Sequence, residues 1–241
     1  MYVEDINWSR LFEENDGSHS FDGEKYQILS YIQSNGTQAI KLMDSVSPTA
    51  SISVAFEYTE NVDFMWIVGG EGAGSKYFGI QISSASSSVN RITSFRKSEA
   101  RFAGAIPYKN RTIYAAINGS AASVSYTSES KSVDSSFEVM SGFYAFAIGR
   151  INSSAEASGM ISAKLHTIRV DNELFLPVKR ISDNALGLLN TTTHQFLTDA
   201  LDGDPFVAGD IVGHISVEVD DTDASSVVGT AIVGKSTTDE E

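Results

Sequence analysis

Three stretches of this chain hold residue types whose spacing could do chemistry. In "FMWIVGGEGAGSKYFGIQI", residues 64 to 82, Gly69 and Gly74 precede Ser75 and Lys76. A phosphate-binding loop needs G-x-x-x-x-G-K-[ST] running into a helix, whose N-terminal N–H groups and lysine hold the anion together. Here the Ser–Lys order is reversed. The residues that follow, "KYFGIQIS", alternate apolar and polar and predict a strand. Strand, glycines, strand is a hairpin signal, and no anion role is assigned.

The second stretch is "EVDDTD", with Glu218, Asp220, Asp221 and Asp223. Carboxylates at i and i+2 share a strand face about 6.5–7 Å apart, whereas a retaining glycosidase needs a pair about 5–5.5 Å apart. The run reads as the charged face of an edge strand, which blocks edge pairing. The third is "DALDGDP", where Asp199, Asp202 and Asp204 offer oxygens of the kind Ca²⁺ takes. The spacing of a calcium-binding loop is missing, and Asp-Gly and Asp-Pro turn chemistry accounts for the same letters. No metal site is assigned.

None of His19, His166, His194 and His214 has another histidine at metal-ligand spacing. No G-x-S-x-G elbow exists for a serine nucleophile. His166, in "KLHTIRV", is expected at a half-buried strand position. Glu57 and Glu138 are the main carboxylates on expected strands, and neither belongs to an acid pair. No catalytic residue and no cofactor is therefore assigned. Aromatics offer a different chemistry, since Tyr and Trp rings on an open strand face can stack on sugars. Trp66, Tyr77, Tyr108, Tyr114 and Tyr144 are the candidates, with core packing as their competing role.

The elements that would position these residues are strands. Phe78, Ile80 and Ile82 alternate with polar or small neighbours, as do Ile113, Ala115 and Ile117. Asn118-Gly119 then supplies a hairpin turn. "GFYAFAIGR" and "AKLHTIRV" read as further strands, with Ser-rich joints such as "SSASSS" and "SSAEAS" between them. Many short strands and no long stretch of 3.6-residue period predict an all-β sandwich or barrel. It spans residues 25–213. Residues 1–24 read as an N-terminal arm and possible anchor, with a short helix at "INWSRLFEE". Residues 214–241 read as a strand (Ile215, Val217, Val219), a second strand in "SSVVGTAIVGKS", and an acidic tail.

Asp plus Glu number 31 against 17 Lys plus Arg, a net charge of -14, so nucleic acid phosphates repel this chain. There are no cysteines, which removes disulfides, thiolate metal sites and a cysteine nucleophile. "MYVEDINWSR" has neither a basic n-region nor an apolar h-region, so no secretion signal is expected. No window approaches the ~20 apolar residues of a membrane span, so no membrane insertion is expected. N-x-Ser/Thr sequences, as at Asn35, Asn110, Asn118, Asn152 and Asn190, reflect Ser, Thr and Asn content rather than glycosylation.

Two stretches go beyond pattern. "KYQILSYIQSNGTQAIKL" (Lys25 to Leu42) resembles the opening strand pair of the concanavalin A-like, laminin-G-like sandwich domain of phage structural and bacterial surface proteins. "KLHTIRVDNELFLPVKRISDNALGLLNTTTHQFLTDALDGDPFVAG" (Lys164 to Gly209) resembles its closing stretch. The matching positions are Tyr31, Ser34, Gly36, Thr37, Gln38 and Ile40, then Phe175, Pro177, Arg180, Asp183, Gly187, Phe196, Phe206 and Gly209. Asn190 departs from the family's usual Asp, Ala39 from its Tyr and Lys41 from its Asp.

The resemblance implies a jelly-roll sandwich of two antiparallel sheets, in which opening and closing segments pair and seal the fold. It also implies a non-enzymatic phage virion structural protein, made in the host cytoplasm and displayed on the particle surface as capsid decoration or head fibre. The partners expected are capsid or tail proteins and a host glycan, in a homo-oligomer whose many copies add up weak contacts. A tail receptor-binding protein, a bacterial surface adhesin fragment and a glycan-cleaving enzyme on the same fold stand as alternatives.

Overall fold

The computed structural model describes residues 24–44, 46, 50–58, 65–72, 76–86, 89–96, 98–101, 112–125, 130–133, 145–151 and 157–217. The helix expected at "INWSRLFEE", the "EVDDTD" run, Tyr108, Glu138, Tyr144 and His19 lie outside the described residues. Within them the chain has no helix. Its strands are β1 (Glu24–Leu29), β2 (Ile32–Gln33), β3 (Ile40–Met43), β4 (Ile52–Tyr58), β5 (Met65–Gly72), β6 (Lys76–Ser86), β7 (Val89–Arg96), β8 (Ser98–Arg101), β9 (Ile113–Asn118) and β10 (Ala121–Val124). They continue as β11 (Ser130–Ser132), β12 (Ala145–Ala147), β13 (Arg150–Ile151), β14 (Ala157–Ser158), β15 (Ala163–Val170), β16 (Glu173–Arg180), β17 (Leu186–Asn190), β18 (Phe196–Leu197), β19 (Val207–Ala208) and β20 (Ile211–Val217).

These strands form two sheets. The larger has twelve strands, with the path β11-β10-β9-β4-β15-β16-β1-β20, and the smaller has eight, with the path β14-β13-β5-β6-β7-β8. The all-β sandwich is thus present. Pairing is antiparallel with one exception. Arg150 and Ile151 run parallel to Gly69 and Gly70, after a bend at Ile148 with φ 60°.

Period two explains the core. Ile52, Val54, Phe56 and Tyr58 of β4 and Ile113, Ala115 and Ile117 of β9 point inward, to meet Ile67 and Val68 of β5 and Phe78, Ile80 and Ile82 of β6. Each of these large side chains, once buried, contributes about 1.5–3 kcal/mol. A second cluster lies on the opposite face of the larger sheet. On β16, Phe175 joins the main core, while Leu174, Leu176 and Val178 join Tyr26, Ile28, Leu189 and Ile215, with Phe196 packed against them.

The glycine stretch is a hairpin. Gly72 pairs with Lys76, which opens β6, so no helix follows the loop. The second hairpin turns at Gly119 and Ser120, with Asn118 opposite Ala121. Gly119 has φ 56° and Ser120 is not among the positive-φ residues, the pattern of a type II′ turn with glycine first. One expected joint is instead strand: Ser83, Ser84 and Ser86 of "SSASSS" pair with Arg91, Asn90 and Val89, which lengthens β6. Their backbones take the ladder because β7 lies alongside.

The two ends of the described chain close the larger sheet. Val207 and Ala208 pair with Gln33 and Ile32, and Ile211 to Val217 pair with Leu29 to Glu24. Gly209 N–H donates to the Tyr31 carbonyl at 2.9 Å, which bridges the two ladders. β20 crosses position 213, so residues 214–217 belong to the sheet rather than to a separate tail.

Candidate functional site

Where the opening strand breaks, at Ser30 and Tyr31, side chains converge on the outward face of the larger sheet. On β4, Phe56 and Tyr58 point into the core, so Glu57 between them points out. Lys164 pairs directly with Glu57 across to β15. A bulge lies between Leu165 and Thr167, and His166 occupies it. The bulge frees His166 from the ladder. Its Nδ1 is 2.8 Å from the Ser30 carbonyl, which only accepts, so Nδ1 carries the hydrogen. The imidazole thereby holds a carbonyl at the strand break.

Glu57 is the hub. Its Oε1 is 3.3 Å from His166 Nε2 and accepts from the Thr112 hydroxyl at 3.1 Å, while Oε2 accepts from Lys164 Nζ at 3.4 Å. Burial pushes this carboxyl up, but the Thr112 bond and the nearby Lys164 and His166 outweigh it and hold it below its ordinary value. The Tyr31 ring completes the group. Lys164 Nζ sits 4.8 Å above its centroid, and the His166 ring meets it edge-on at 5.8 Å and 73°. A cation over an aromatic face contributes about 0.5–1 kcal/mol at a partly exposed site.

Tyr114 borders this group. It lies on β9 between the inward-facing Ile113 and Ala115, half-buried and opposite Ala55, on the same face as Thr112 and Glu57. Tyr31 and Tyr114 therefore flank a face that holds one carboxylate, one ammonium and one imidazole. Such a face offers hydrogen bonds in both directions beside two rings. Among the described residues, the groups bonded to Glu57 are Thr112, Lys164 and His166.

The other candidate residues fall elsewhere. Trp66 is 2 % exposed, and its ring lies against Gly69, so it presents no open face to a ligand. Tyr77 sits on β6 opposite Glu71. His166 is half-buried on its strand, as the alternation predicts, and His214 pairs with Gln27 at the β20 edge.

The aspartate loop serves the fold. The Asp199 carboxylate accepts from the N–H groups of Ala39, Leu201 and Gly203, and Asp204 accepts from Asn35 Nδ2. Among the described residues no group of three His, Cys, Asp or Glu could hold a metal ion.

Sequence reading missed Tyr31, Lys164 and Thr112 as members of a site. Lys164 and His166 stand two apart on a strand, a signal that they leave it on nearby positions. Their pairing with Glu57 depends on a contact between β4 and β15, which no local spacing carries. Compared with protein-family models and with curated proteins, the chain matches none.

Proposed function

We propose that this chain is a non-enzymatic structural protein of a phage virion, displaying a concanavalin A-like, lectin-like sandwich on the particle surface as capsid decoration or head fibre. The observation that carries the reading is the meeting of its two flanking motifs. Tyr31 of the opening motif abuts Gly209 of the closing one, and Gln38 donates to the Asp204 and Pro205 carbonyls. Tyr31, Gln38 and Gly209 of the two motifs thus share one task, the sealing of the sandwich. The outward group of Tyr31, Lys164, His166, Glu57 and Tyr114 is then the surface for weak contact with host glycan, strengthened by many copies on one particle.

The test is co-purification with intact particles. Deletion of residues 1–23 or 218–241 should release an otherwise folded sandwich from them; the second cut falls at 218 because β20 runs to Val217. Absence from purified particles overturns the proposal. Turnover of host capsular or cell-wall polysaccharide, lost in Glu57→Gln, would replace it with the glycan-cleaving reading.

A further inference from the structure

The two ring nitrogens of His166 face two groups that accept. On one side the Ser30 carbonyl lies 2.8 Å from Nδ1, so Nδ1 carries a hydrogen. On the other, Glu57 Oε1 lies 3.3 Å from Nε2. Glu57 accepts at both of its oxygens, from the Thr112 hydroxyl and the Lys164 ammonium, which favours the carboxylate form. A neutral imidazole has one N–H, and here Nδ1 has taken it. Nε2 then presents a lone pair to a carboxylate oxygen. That contact becomes a hydrogen bond only when the ring gains a second proton. Among the described residues, the charged and titratable groups on this side of the sheet are Glu57 from β4, Lys164 from β15, Tyr31 at the strand break and Tyr114 from β9. Asp210 is bonded through its backbone to Ser30, and Arg169 lies further along β15, opposite Ser53.

We propose that His166 is a proton-gated clip on this face. A second proton on Nε2 closes the ring onto Glu57, and its loss leaves Nε2 and Oε1 as two adjacent acceptors for the hydroxyl donors of a bound sugar. The gate rests on the reading of this face as a glycan surface. Both side chains reach solvent, His166 at 22 % and Glu57 at 15 % exposed, so a ligand hydroxyl can approach them. Each acceptor is also held in place from behind. The Nδ1 bond to Ser30 persists whether or not Nε2 is protonated, and Thr112 and Lys164 hold Glu57 in both states. The gate therefore moves a proton rather than a strand. Histidine is the side chain that ordinarily changes charge between about pH 5 and 8. Acid thus occupies Oε1 with the protein's own N–H, and neutral solution frees it for a ligand.

The experiment has two readouts on the full-length chain. The first is nitrogen NMR of the imidazole rings at about pH 5 and about pH 8, either side of the usual histidine range. The His166 signals are assigned by their loss in His166→Gln. The expected result is a hydrogen on both ring nitrogens in acid, and on Nδ1 alone at the higher pH. A hydrogen on Nε2 alone at the higher pH, or a bare Nε2 in acid, overturns the clip. The second readout is retention of purified host capsular polysaccharide at the same two pH values, with circular dichroism as the check on folding. Wild type should retain about fivefold more at the higher pH, the effect of one hydrogen bond. Glu57→Gln, whose amide can donate to a bare Nε2, should lose that difference. Equal retention by wild type at both pH values overturns the gate. Retention at neither overturns the glycan reading on which the gate rests, while the ring signals still decide the clip.

Discussion

Gln38 Nε2 donates to the carbonyl of Asp204, 166 positions along the chain, at 2.5 Å. The Gln38 side chain is wholly buried, and its Oε1 accepts from the Ser34 hydroxyl at 2.8 Å and the Asn35 N–H at 3.0 Å. One amide therefore satisfies both sides of the seam between the opening and closing segments. Gln38→Leu keeps the volume and removes every bond. It leaves buried polar groups unpaired at about 1–3 kcal/mol each, so we expect a loss of about 2–4 kcal/mol by urea unfolding. Thr37→Val, at the exposed rim, should cost under about 1 kcal/mol. A loss that small for Gln38→Leu would mean that backbone pairing alone closes the seam.

Acid should loosen the protein through two carboxylates. Burial opposes the charge on Glu57, but Thr112, Lys164 and His166 hold its pKa below the ordinary 4.5. Arg180, whose guanidinium fork grips Asp183, and the Ala185 N–H hold Asp183 down to about 2 from 3.8. Both folded values lie below the unfolded ones. Each contribution is thus present above the unfolded pKa and is lost as pH falls through the folded one. Relative to wild type, Glu57→Gln and Asp183→Asn should be less stable near neutrality, and each should converge with it as pH falls through the folded value, which for Asp183 is about 2. Parallel stability–pH curves for wild type and variants would contradict the assignment.

Trp66 depends on what is missing at Gly69. A Cβ built there would lie 2.4 Å from Trp66 Cε3, too close for any real contact. Gly69 pairs with Gly79, whose own Cβ would stand 2.1 Å from the Val68 carbonyl. Ring and backbone thus fill the space of two side chains. Gly69→Ala should push the indole outward, at a cost of about 1–3 kcal/mol for overpacking. In a Trp8→Phe background, which leaves Trp66 as the single tryptophan, its emission should shift to the red. Unchanged emission would place the ring elsewhere.

Alternation made β4, β6, β9 and β15 legible, because a strand with one face buried writes its period into neighbouring residues. The closing contact was legible too, through motifs whose polar letters, Ser34, Gly36, Thr37 and Gln38, brace turns rather than fill a core. Asn190 shows why that polarity matters: its Oδ1 accepts from the Thr192 and Thr193 N–H groups, a role that an Asp would fill equally. The outward site was not legible. Glu57, Thr112, Lys164 and Tyr31 are brought together by strand pairing and by a bulge at His166, and a bulge leaves no mark on hydrophobic period. The continuation of the sheet past residue 213 was missed for a related reason. Gly213 and His214 blur the alternation of β20 where it pairs with Ile28 and Gln27.

That continuation carries the folding unit past residue 213. Ile215 is 4 % exposed and packs with Tyr26, Ile28 and Val178 in the second cluster, and its strand pairs with β1 along its length. A chain cut after Gly213 loses this side chain, worth about 1.5–3 kcal/mol. It also leaves Lys25 and Tyr26 without the partners Ser216 and Ile215. A chain cut after Val217 keeps both. We expect the longer form to unfold cooperatively at a denaturant midpoint close to that of the full chain. The shorter form should lose about 3 kcal/mol or more, counting the uncovered apolar surface on Tyr26 and Ile28. Equal midpoints for the two truncations would mean that β20 contributes nothing beyond Gly213, and the second cluster would then have to hold without Ile215.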